Sequence, residues 1–266
     1  MRLRSSLITA GVAALLGLGL PVQAQVGQSE TSFDGVAFAF DVALGSSVNI
    51  TRVPGQPPNA QQPGGPDAPH VAFTLYGPRD EGARVPRVGF SSGVLRAYRT
   101  ADIAGYEEAS GQLEALEALL GDRPDLGVFM AVPDDSGGER LPHLPVDLAA
   151  AQVLRARATY VDTPELSGIA YLAAYRQDVA PFTTGDFWYT FQGLSADGAW
   201  YVAADFVVEA GMFPRRVSVR QVNRVADRWV SYLTESTSTL NDAGPDEFTP
   251  NLTSVDALVQ SITFSG

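Results

Sequence analysis

Short alternating runs of apolar residues predict β-strands in the first part of the chain. GVAFAFDVAL (35–44) and SSVNITRV (46–53) are rich in β-branched and aromatic residues, with a Gly-Ser turn where they meet. HVAFTLYG (70–77) and VLRAYR (94–99) have the same character. We therefore expect strands at these four places, separated by turns and loops.

Two later segments predict long antiparallel hairpins. The first hairpin joins QVLRARATYVD (152–162) to SGIAYLAAYRQ (167–177), and the second joins DFWYTFQGL (186–194) to AWYVAADFVV (199–208). Asp197-Gly198 supplies the positive φ that the second connection needs. Strict alternation in the first hairpin predicts two rows of side chains that each share one face, namely Leu154, Ala156, Ala158 and Tyr160, and Ile169, Tyr171, Ala173 and Tyr175.

Three other segments have apolar residues at helical spacing. They cover 101–124, 222–233 and 253–264. We expect Gly121 and Pro124 to end the first helix. In the last segment, Thr253-x-x-Asp256 has the spacing of a capping box.

Strands joined by hairpins and interrupted by helices predict an α+β fold, with an antiparallel β-sheet of hairpins and α-helices packed on it in layers. We expect a single domain over residues 25–266. The segment VPGQPPNAQQPGGPDAP (53–69) is dense in proline and glycine and lies between two strand candidates. It is therefore interpreted as a loop inserted into the domain.

The first 24 residues, MRLRSSLITAGVAALLGLGLPVQA, have the form of a secretory signal peptide. Two arginines precede a short apolar run, and a helix-breaking Pro21 and small residues follow it. The run is too short and too rich in glycine to span a membrane, and no later run is long enough. We expect cleavage after Ala24 and a protein that is periplasmic or secreted, without a membrane span.

Charge and cysteine usage exclude several classes of function. The chain has 18 basic side chains, all arginine, against 30 acidic ones, and a net charge of −12. Removal of Arg2 and Arg4 with the leader would make it more negative, and such a surface repels nucleic acid. With neither cysteine nor lysine, thiol catalysis and lysine Schiff-base chemistry are excluded.

The motif Gly89-Phe90-Ser91-Ser92-Gly93 matches the G-x-S-x-G pattern of a serine-hydrolase nucleophile elbow. A hydrolase would need a histidine after Ser91 in the sequence. His143, which lies between two prolines, is the only histidine that follows Ser91. However, VLRAYR after the motif alternates as a strand, whereas the elbow requires a helix. A secreted serine hydrolase using Ser91 and His143 is therefore kept as the alternative, and no catalytic residue is assigned in the main prediction.

No metal site or cofactor is predicted. The two histidines, His70 and His143, are far apart and lack the spacing of zinc ligands. The acidic segments DDSGGE (134–139) and NDAGPDE (241–247) could collect calcium, but neither keeps the order of a calcium-binding loop. We interpret both as solvated turns.

The second hairpin is rich in aromatic residues. On its two strands Phe187, Tyr189 and Phe191 alternate with Trp188 and Thr190, so one row must be core. The other row is either a stacking surface for a ligand or the seat of a helix. The candidates for ligand binding are Trp188, Tyr189, Trp200 and Tyr201.

This hairpin also carries a resemblance. The residues Tyr189 to Leu194 (YTFQGL), followed by Asp197-Gly198 and by Tyr201 and Val202, resemble a signature in a group of uncharacterised exported bacterial proteins. More distantly, the order of hairpins and a terminal helix is similar to PsbP-like proteins of the photosystem II oxygen-evolving complex. That second resemblance implies helices on both sides of an antiparallel sheet. Neither resemblance implies an activity or a catalytic residue.

These observations together favour an exported, non-catalytic binding or interaction domain of the bacterial cell envelope. Its partner would be another envelope protein or a small ligand. The identity of that partner does not follow from the sequence.

Overall fold

The computed structural model describes residues 27–61, 66–77, 91–130, 140–146 and 151–265. In these ranges the chain forms two antiparallel sheets with packed helices, which confirms the predicted α+β architecture. The strands are β1 (Gln28–Phe33), β2 (Val36–Asp41), β3 (Ser47–Val53), β4 (His70–Tyr76), β5 (Ser91–Arg99), β6 (Ala151–Asp162), β7 (Leu166–Arg176), β8 (Phe187–Ser195), β9 (Trp200–Ala210), β10 (Phe248–Thr249) and β11 (Thr263–Phe264). The helices are α1 (Thr100–Ile103), α2 (Glu107–Asp122), α3 (Gly127–Met130), α4 (Val219–Ala226), α5 (Trp229–Asp242) and α6 (Leu252–Gln260).

The large sheet has the strand order β3-β4-β5-β9-β8-β7-β6, and β10 pairs with the end of β9. The small sheet has the order β1-β2-β11. In the hairpin of β8 and β9, Leu194 lies opposite Tyr201, and Gly198 has a φ of 70° in the connecting turn. Both predicted hairpins therefore form, and β9 joins the second of them to β5 at the centre of the sheet.

One face of the large sheet carries phenylalanine and aliphatic side chains, and we call it the phenylalanine face. Phe73, Phe191 and Phe206 are fully buried there. The small sheet, α5 and α6 cover this face and contribute apolar side chains such as Phe38 and Leu258. Such dry packing supplies most of the stability of a domain of this kind.

The opposite face carries Tyr98, Tyr171 and Tyr201, and we call it the tyrosine face. These rings are buried beneath α1, α2 and the segment 140–146. Ile103, Leu116, Leu141 and Leu144 are among the residues that cover them. The two faces alternate along β7, β8 and β9, as the aromatic pattern predicts for a sheet covered on both sides.

The prediction for β6 was wrong in part. Leu154 and Ala156 lie on the phenylalanine face, but Ala158 and Tyr160 pack on the tyrosine face. The reason is a bulge between Ala156 and Thr159. Arg157 sits in this bulge with a φ of 54°, so the residues after it point to the opposite side.

The helices differ from their predicted boundaries. The first segment is broken at Gly105 into α1 and α2, and α2 continues through Gly121 to a left-handed Arg123. The second segment is broken into α4 and α5, which leaves Val230 exposed. In α6 the cap is the Asn251 side chain, which accepts the Thr253 backbone N–H, rather than a Thr253 capping box.

The sequence patterns did not predict β1. QSETSF is polar and largely exposed, but it pairs along its whole length with β2. The turn between these strands is Asp34-Gly35, and both residues have positive φ. Among the described residues, none of the helices combines the length and the apolar character needed to cross a membrane.

Candidate functional site

The serine motif lies where β5 begins. Gly89 and Phe90 are outside the described residues, whereas Ser91 pairs with Tyr76 and Gly93 with Leu75. Ser92 is therefore the extra residue of a bulge, and its hydroxyl donates to the Leu44 and Leu75 carbonyls. The motif leads into a strand, whereas the nucleophile elbow needs a helix.

His143 lies in the segment that covers the tyrosine face. Its Nδ1 is 3.0 Å from the Pro145 carbonyl oxygen, and its Nε2 is 3.2 Å from Oδ1 of Asp205. Both ring nitrogens are therefore engaged with acceptor atoms of the protein rather than with a hydroxyl group.

Asp205 is the centre of a polar cluster on β9. Its carboxylate accepts hydrogen bonds from His143, from Arg96 at 2.8 Å and from Thr190 at 3.1 Å. Burial alone would raise its pKa, but the charge and hydrogen bond of His143, with Arg96 and Thr190, outweigh burial and lower it. Asp205 is therefore an ionised anchor for the segment 140–146.

Ser91 does not join this cluster. Asp205 lies opposite Val94, three residues along β5 from Ser91, which is about 10 Å. Among the described residues, no hydrogen bond connects the Ser91 side chain with His143. The structure thus brings His143 and Asp205 together but not Ser91.

A second set of hydrogen bonds ties the same segment to the sheet. The buried Gln192 side chain accepts from the Leu144 backbone N–H at 2.9 Å and from the Tyr201 hydroxyl at 2.7 Å. Tyr171 donates to the Pro142 carbonyl. The amide nitrogen of Gln192 is buried without a partner among the described residues.

The four aromatic candidates have different environments. The side chain of Trp188 is 39% exposed, whereas Tyr189, Trp200 and Tyr201 are 4%, 5% and 0% exposed. They also lie on different faces, because Tyr189 and Trp200 belong to the phenylalanine face and Tyr201 to the tyrosine face. They therefore do not form one common stacking surface.

Trp200 does border a cleft, which we call the arginine cleft. It is an open cleft of about 480 Å³ at one end of β3, β4, β5 and β9. The apolar part of its lining comes from Val53, Pro54, Pro69, Val71 and Ala97. The charged part comes from Asp34, Arg52, Arg99 and Asp102.

Both arginines of the cleft pack on aromatic rings. The guanidinium carbon of Arg99 lies 4.2 Å from the centre of the Trp200 ring, directly across the pair of β5 and β9. Arg52 lies 4.9 Å from the centre of the Phe33 ring and forms an ion pair of 3.1 Å with Asp34. Each guanidinium thereby lies against an aromatic ring at the cleft wall.

His70 also borders the arginine cleft but contributes no charge. Its Nδ1 lies 2.9 Å from the Ala68 carbonyl oxygen, and its ring packs 4.6 Å from the Tyr98 ring. Burial lowers the pKa of His70, although the Ala68 carbonyl and Asp67 act in the opposite direction. The ring is therefore neutral near pH 7, with its proton on Nδ1.

A smaller cleft of about 450 Å³ lies between β6, β7 and α6. On its wall the Tyr189 hydroxyl donates to the Asp256 carboxylate at 2.7 Å. Burial raises the pKa of Asp256, against the opposing effects of Tyr189 and Arg157. Arg157 itself is committed to backbone carbonyl groups at the end of α5.

The acidic segments give no metal centre in the part of the chain that can be described. The segment 134–139 is outside it, and in 241–247 the Glu247 side chain accepts the Gly244 backbone N–H. No group of three or more histidine, aspartate or glutamate side chains in the described ranges could hold a metal ion.

Sequence reasoning identified Trp200 but missed the residues around it. Arg99 is part of the predicted strand VLRAYR, and its contact with Trp200 requires the register between β5 and β9. Asp34 and Phe33 belong to β1 and its turn, which had no apolar pattern. A signal was present only in Asp34-Gly35, a dipeptide typical of tight hairpin turns.

Models of known protein families were compared with the chain and none matches, and a search of curated proteins also found no match.

Proposed function

We propose that this protein is an exported, non-catalytic binding domain of the bacterial cell envelope and that it binds a small ligand in the arginine cleft. The observation that carries this proposal is the cleft itself. Two guanidinium groups, each packed on an aromatic ring, stand beside a lining of valine, proline and alanine.

The size and lining of the cleft suit a small molecule. Ligand sites are concave, have volumes of roughly 300–1,000 Å³ and combine mostly apolar walls with a few fixed polar groups. The arginine cleft has this combination, and both of its arginines already pack on aromatic rings in the absence of a ligand. Such preorganisation lowers the entropic cost of binding.

The groups that could act as catalysts are engaged elsewhere. The two ring nitrogens of His143 contact Pro145 and Asp205, His70 is bonded to Ala68, and Ser92 is bonded to backbone carbonyls. In the described residues no hydroxyl group is paired with a histidine. A binding role therefore fits these contacts better than a hydrolytic one.

The binding proposal is tested with the mature protein in a thermal-shift screen of small acids, amines and neutral sugars. Val53→Trp would fill the cleft, whereas Thr51→Trp adds the same ring to the same strand outside the cleft lining. We expect at least one compound class to stabilise the wild type and Thr51→Trp but not Val53→Trp. Stabilisation that is absent throughout, or equal in both variants, would refute the proposed site.

The serine-hydrolase alternative has a direct test of its own. We expect no labelling of the mature protein by a fluorophosphonate probe, because Ser91 lacks a basic partner among the described residues. Labelling that disappears in Ser91→Ala but persists in Ser92→Ala would establish a serine nucleophile and replace the binding proposal.

Export is tested by expression of the full chain in a bacterium, followed by fractionation and N-terminal sequencing. We expect the mature chain to begin at Gln25 and to lie outside the cytoplasm. A cytoplasmic chain that retains Met1 would contradict this part of the proposal.

A further inference from the structure

We infer that the ligand of the arginine cleft is a monocarboxylate with an apolar body, and that Arg99 binds its carboxylate. This inference rests on the proposed function, since it names the ligand class of the same cleft. It follows from three observations about the cleft, which concern how Arg99 is held, how the charges are paired and what lines the remaining surface.

The first observation is that Arg99 covers Trp200. The indole is almost fully buried, between the guanidinium of Arg99 on β5 and the stacked ring of Phe264. A ligand in the cleft therefore contacts mainly Arg99, with the indole of Trp200 directly behind it. Stacking occupies a face of the guanidinium but leaves its N–H groups in the plane, where they can donate two parallel hydrogen bonds to an oxyanion.

The second observation is the distribution of charge. Arg52 is paired with Asp34, so its charge is largely compensated. No ion pair or hydrogen bond joins the Arg99 side chain to another residue in the described ranges, and none joins it to Asp102. Arg99 is thus the cation of the cleft that is available to a ligand.

Asp102 limits how much negative charge the ligand can carry. It lies on the rim of the cleft three residues after Arg99, and the chain as a whole has a net charge of −12. Both features repel a dianion more strongly than a monoanion. A carboxylate is therefore favoured over a phosphate group that carries two charges at neutral pH.

The third observation is the apolar lining. Val53, Pro54, Val71 and Ala97 line the cleft beside the charged groups. Because β4 separates β3 from β5, the two strands that carry Arg52 and Arg99 lie about 10 Å apart. That span accommodates an apolar group of the size of a phenyl ring next to the carboxylate.

The experiment uses three probes that share a phenyl group and differ in charge: phenylacetate, 2-phenylethanol and phenethylamine. The reporter is Trp200 fluorescence in the mature protein with Trp188→Phe and Trp229→Phe, which removes the other two tryptophans. We expect saturable binding of phenylacetate, at least tenfold weaker binding of the alcohol and the amine, and no competition by inorganic phosphate.

Variants of Arg99 separate the carboxylate contact from general stabilisation. We expect Arg99→Gln to weaken phenylacetate binding about tenfold or more, because a charge-assisted bidentate pair is lost. Arg99→Lys should restore little of it, since lysine cannot stack or form the fork. The control Arg216→Gln removes an exposed arginine remote from the cleft lining and should leave binding unchanged.

Three results would overturn the inference and leave the binding function intact. The first is that 2-phenylethanol or phenethylamine binds as tightly as phenylacetate, and the second is that Arg99→Gln binds phenylacetate like the wild type. The third is that phenylacetate does not bind at all. The binding function itself fails separately, when Val53→Trp and Thr51→Trp respond alike to every compound class in the thermal-shift screen.

Discussion

The two faces of the large sheet are covered in different ways, although the same strands supply both. On the phenylalanine face, rings and aliphatic groups meet those of the small sheet, α5 and α6. On the tyrosine face, Asp205 and Gln192 hold the segment 140–146 by hydrogen bonds to His143 and to the Leu144 backbone. The first face is closed mainly by packing, and the second needs specific polar contacts.

This difference distinguishes contacts that stabilise the fold from contacts that position the segment 140–146. Apolar burial is not directional, so it stabilises the phenylalanine face without dictating the path of a loop. Hydrogen bonds are directional, and a short segment without regular structure can be fixed by a few of them. The comparison predicts that the two faces respond differently to substitution and to pH.

The largest effect is expected on the phenylalanine face. The ring of Phe191 is fully buried and lies so close to Gly168 and Gly193 that an added Cβ at either position would collide with it. Phe191→Ala should lower the free energy of unfolding by about 3–5 kcal/mol, measured by urea denaturation. The control Trp188→Ala, on the same strand but 39% exposed, should cost clearly less, about 1–2 kcal/mol.

A loss of similar size in both variants would mean that exposure on β8 does not predict energetic importance. The expected difference between the buried Phe191 and the exposed Trp188 would then be wrong.

A somewhat smaller effect is expected at the centre of the tyrosine face. Asp205→Ala removes the carboxylate between Arg96 and His143 and leaves two partly buried donors without an acceptor. We expect a loss of about 2–4 kcal/mol in the free energy of unfolding. Asp227→Ala, which removes an exposed aspartate, is the matched control and should have little effect. A loss below about 1 kcal/mol for Asp205→Ala would show that the cluster does not anchor the segment.

Gln192→Ala tests the contact of the segment with less disturbance of charge. It removes the acceptor of the Leu144 N–H and the Tyr201 hydroxyl and should cost about 1–3 kcal/mol. In hydrogen-exchange measurements, the substitution should accelerate exchange of the Leu144 amide relative to the wild type more than it accelerates exchange of the amides in β9. Uniform acceleration across β9 would contradict a local role for Gln192.

The smallest effect distinguishes the faces by pH. Asp205 has a lowered pKa, so its stabilisation is present above the unfolded value of about 3.9 and is lost as the pH falls through its lower folded value. Asp256, beside the phenylalanine face, has a raised pKa, so its ionisation reduces stability as the pH rises above the unfolded value. Ionisation of Asp205 therefore stabilises the fold, whereas ionisation of Asp256 destabilises it.

Urea unfolding of Asp205→Asn and Asp256→Asn between about pH 3 and pH 8 measures these opposite effects on the free energy of unfolding. Asp205→Asn should lose stability near neutral pH and respond less to acid. Asp256→Asn still accepts the Tyr189 hydroxyl, and near neutral pH it should be as stable as the wild type or more stable, by less than about 1 kcal/mol. If both substitutions changed the free energy of unfolding in the same direction near neutral pH, the lowered pKa of Asp205 and the raised pKa of Asp256 could not both be right.

Much of the sheet follows from the sequence because alternation is local. In β7, β8 and β9 each side chain lies on the face that its position in the pattern predicts. The alternation fails in β6, where Arg157 bonds to carbonyl groups at the end of α5, more than 80 residues away. No local pattern carries that contact, so the bulge could not be predicted from QVLRARATYVD.

The candidate site was predictable only in part. Trp200 was identified by its residue type. Its place in the arginine cleft, however, depends on Arg99 across the strand pair and on Asp34 in an unpredicted turn. His143 was identified from a motif hypothesis, yet its partner Asp205 lies in an apolar strand where a single aspartate gives no motif. Long-range register determines both contacts.

Gly93, the last residue of the Gly-Phe-Ser-Ser-Gly match, lies directly beneath the ring of Phe206, and a Cβ there would come within 2.2 Å of it. Any side chain larger than hydrogen would have to displace a buried aromatic ring. The glycine that completes the hydrolase pattern is thus required by packing in the middle of a sheet. The second glycine of a Gly-x-Ser-x-Gly match can therefore be required by a neighbouring aromatic ring, so its presence in an antiparallel strand is no sign of a nucleophile.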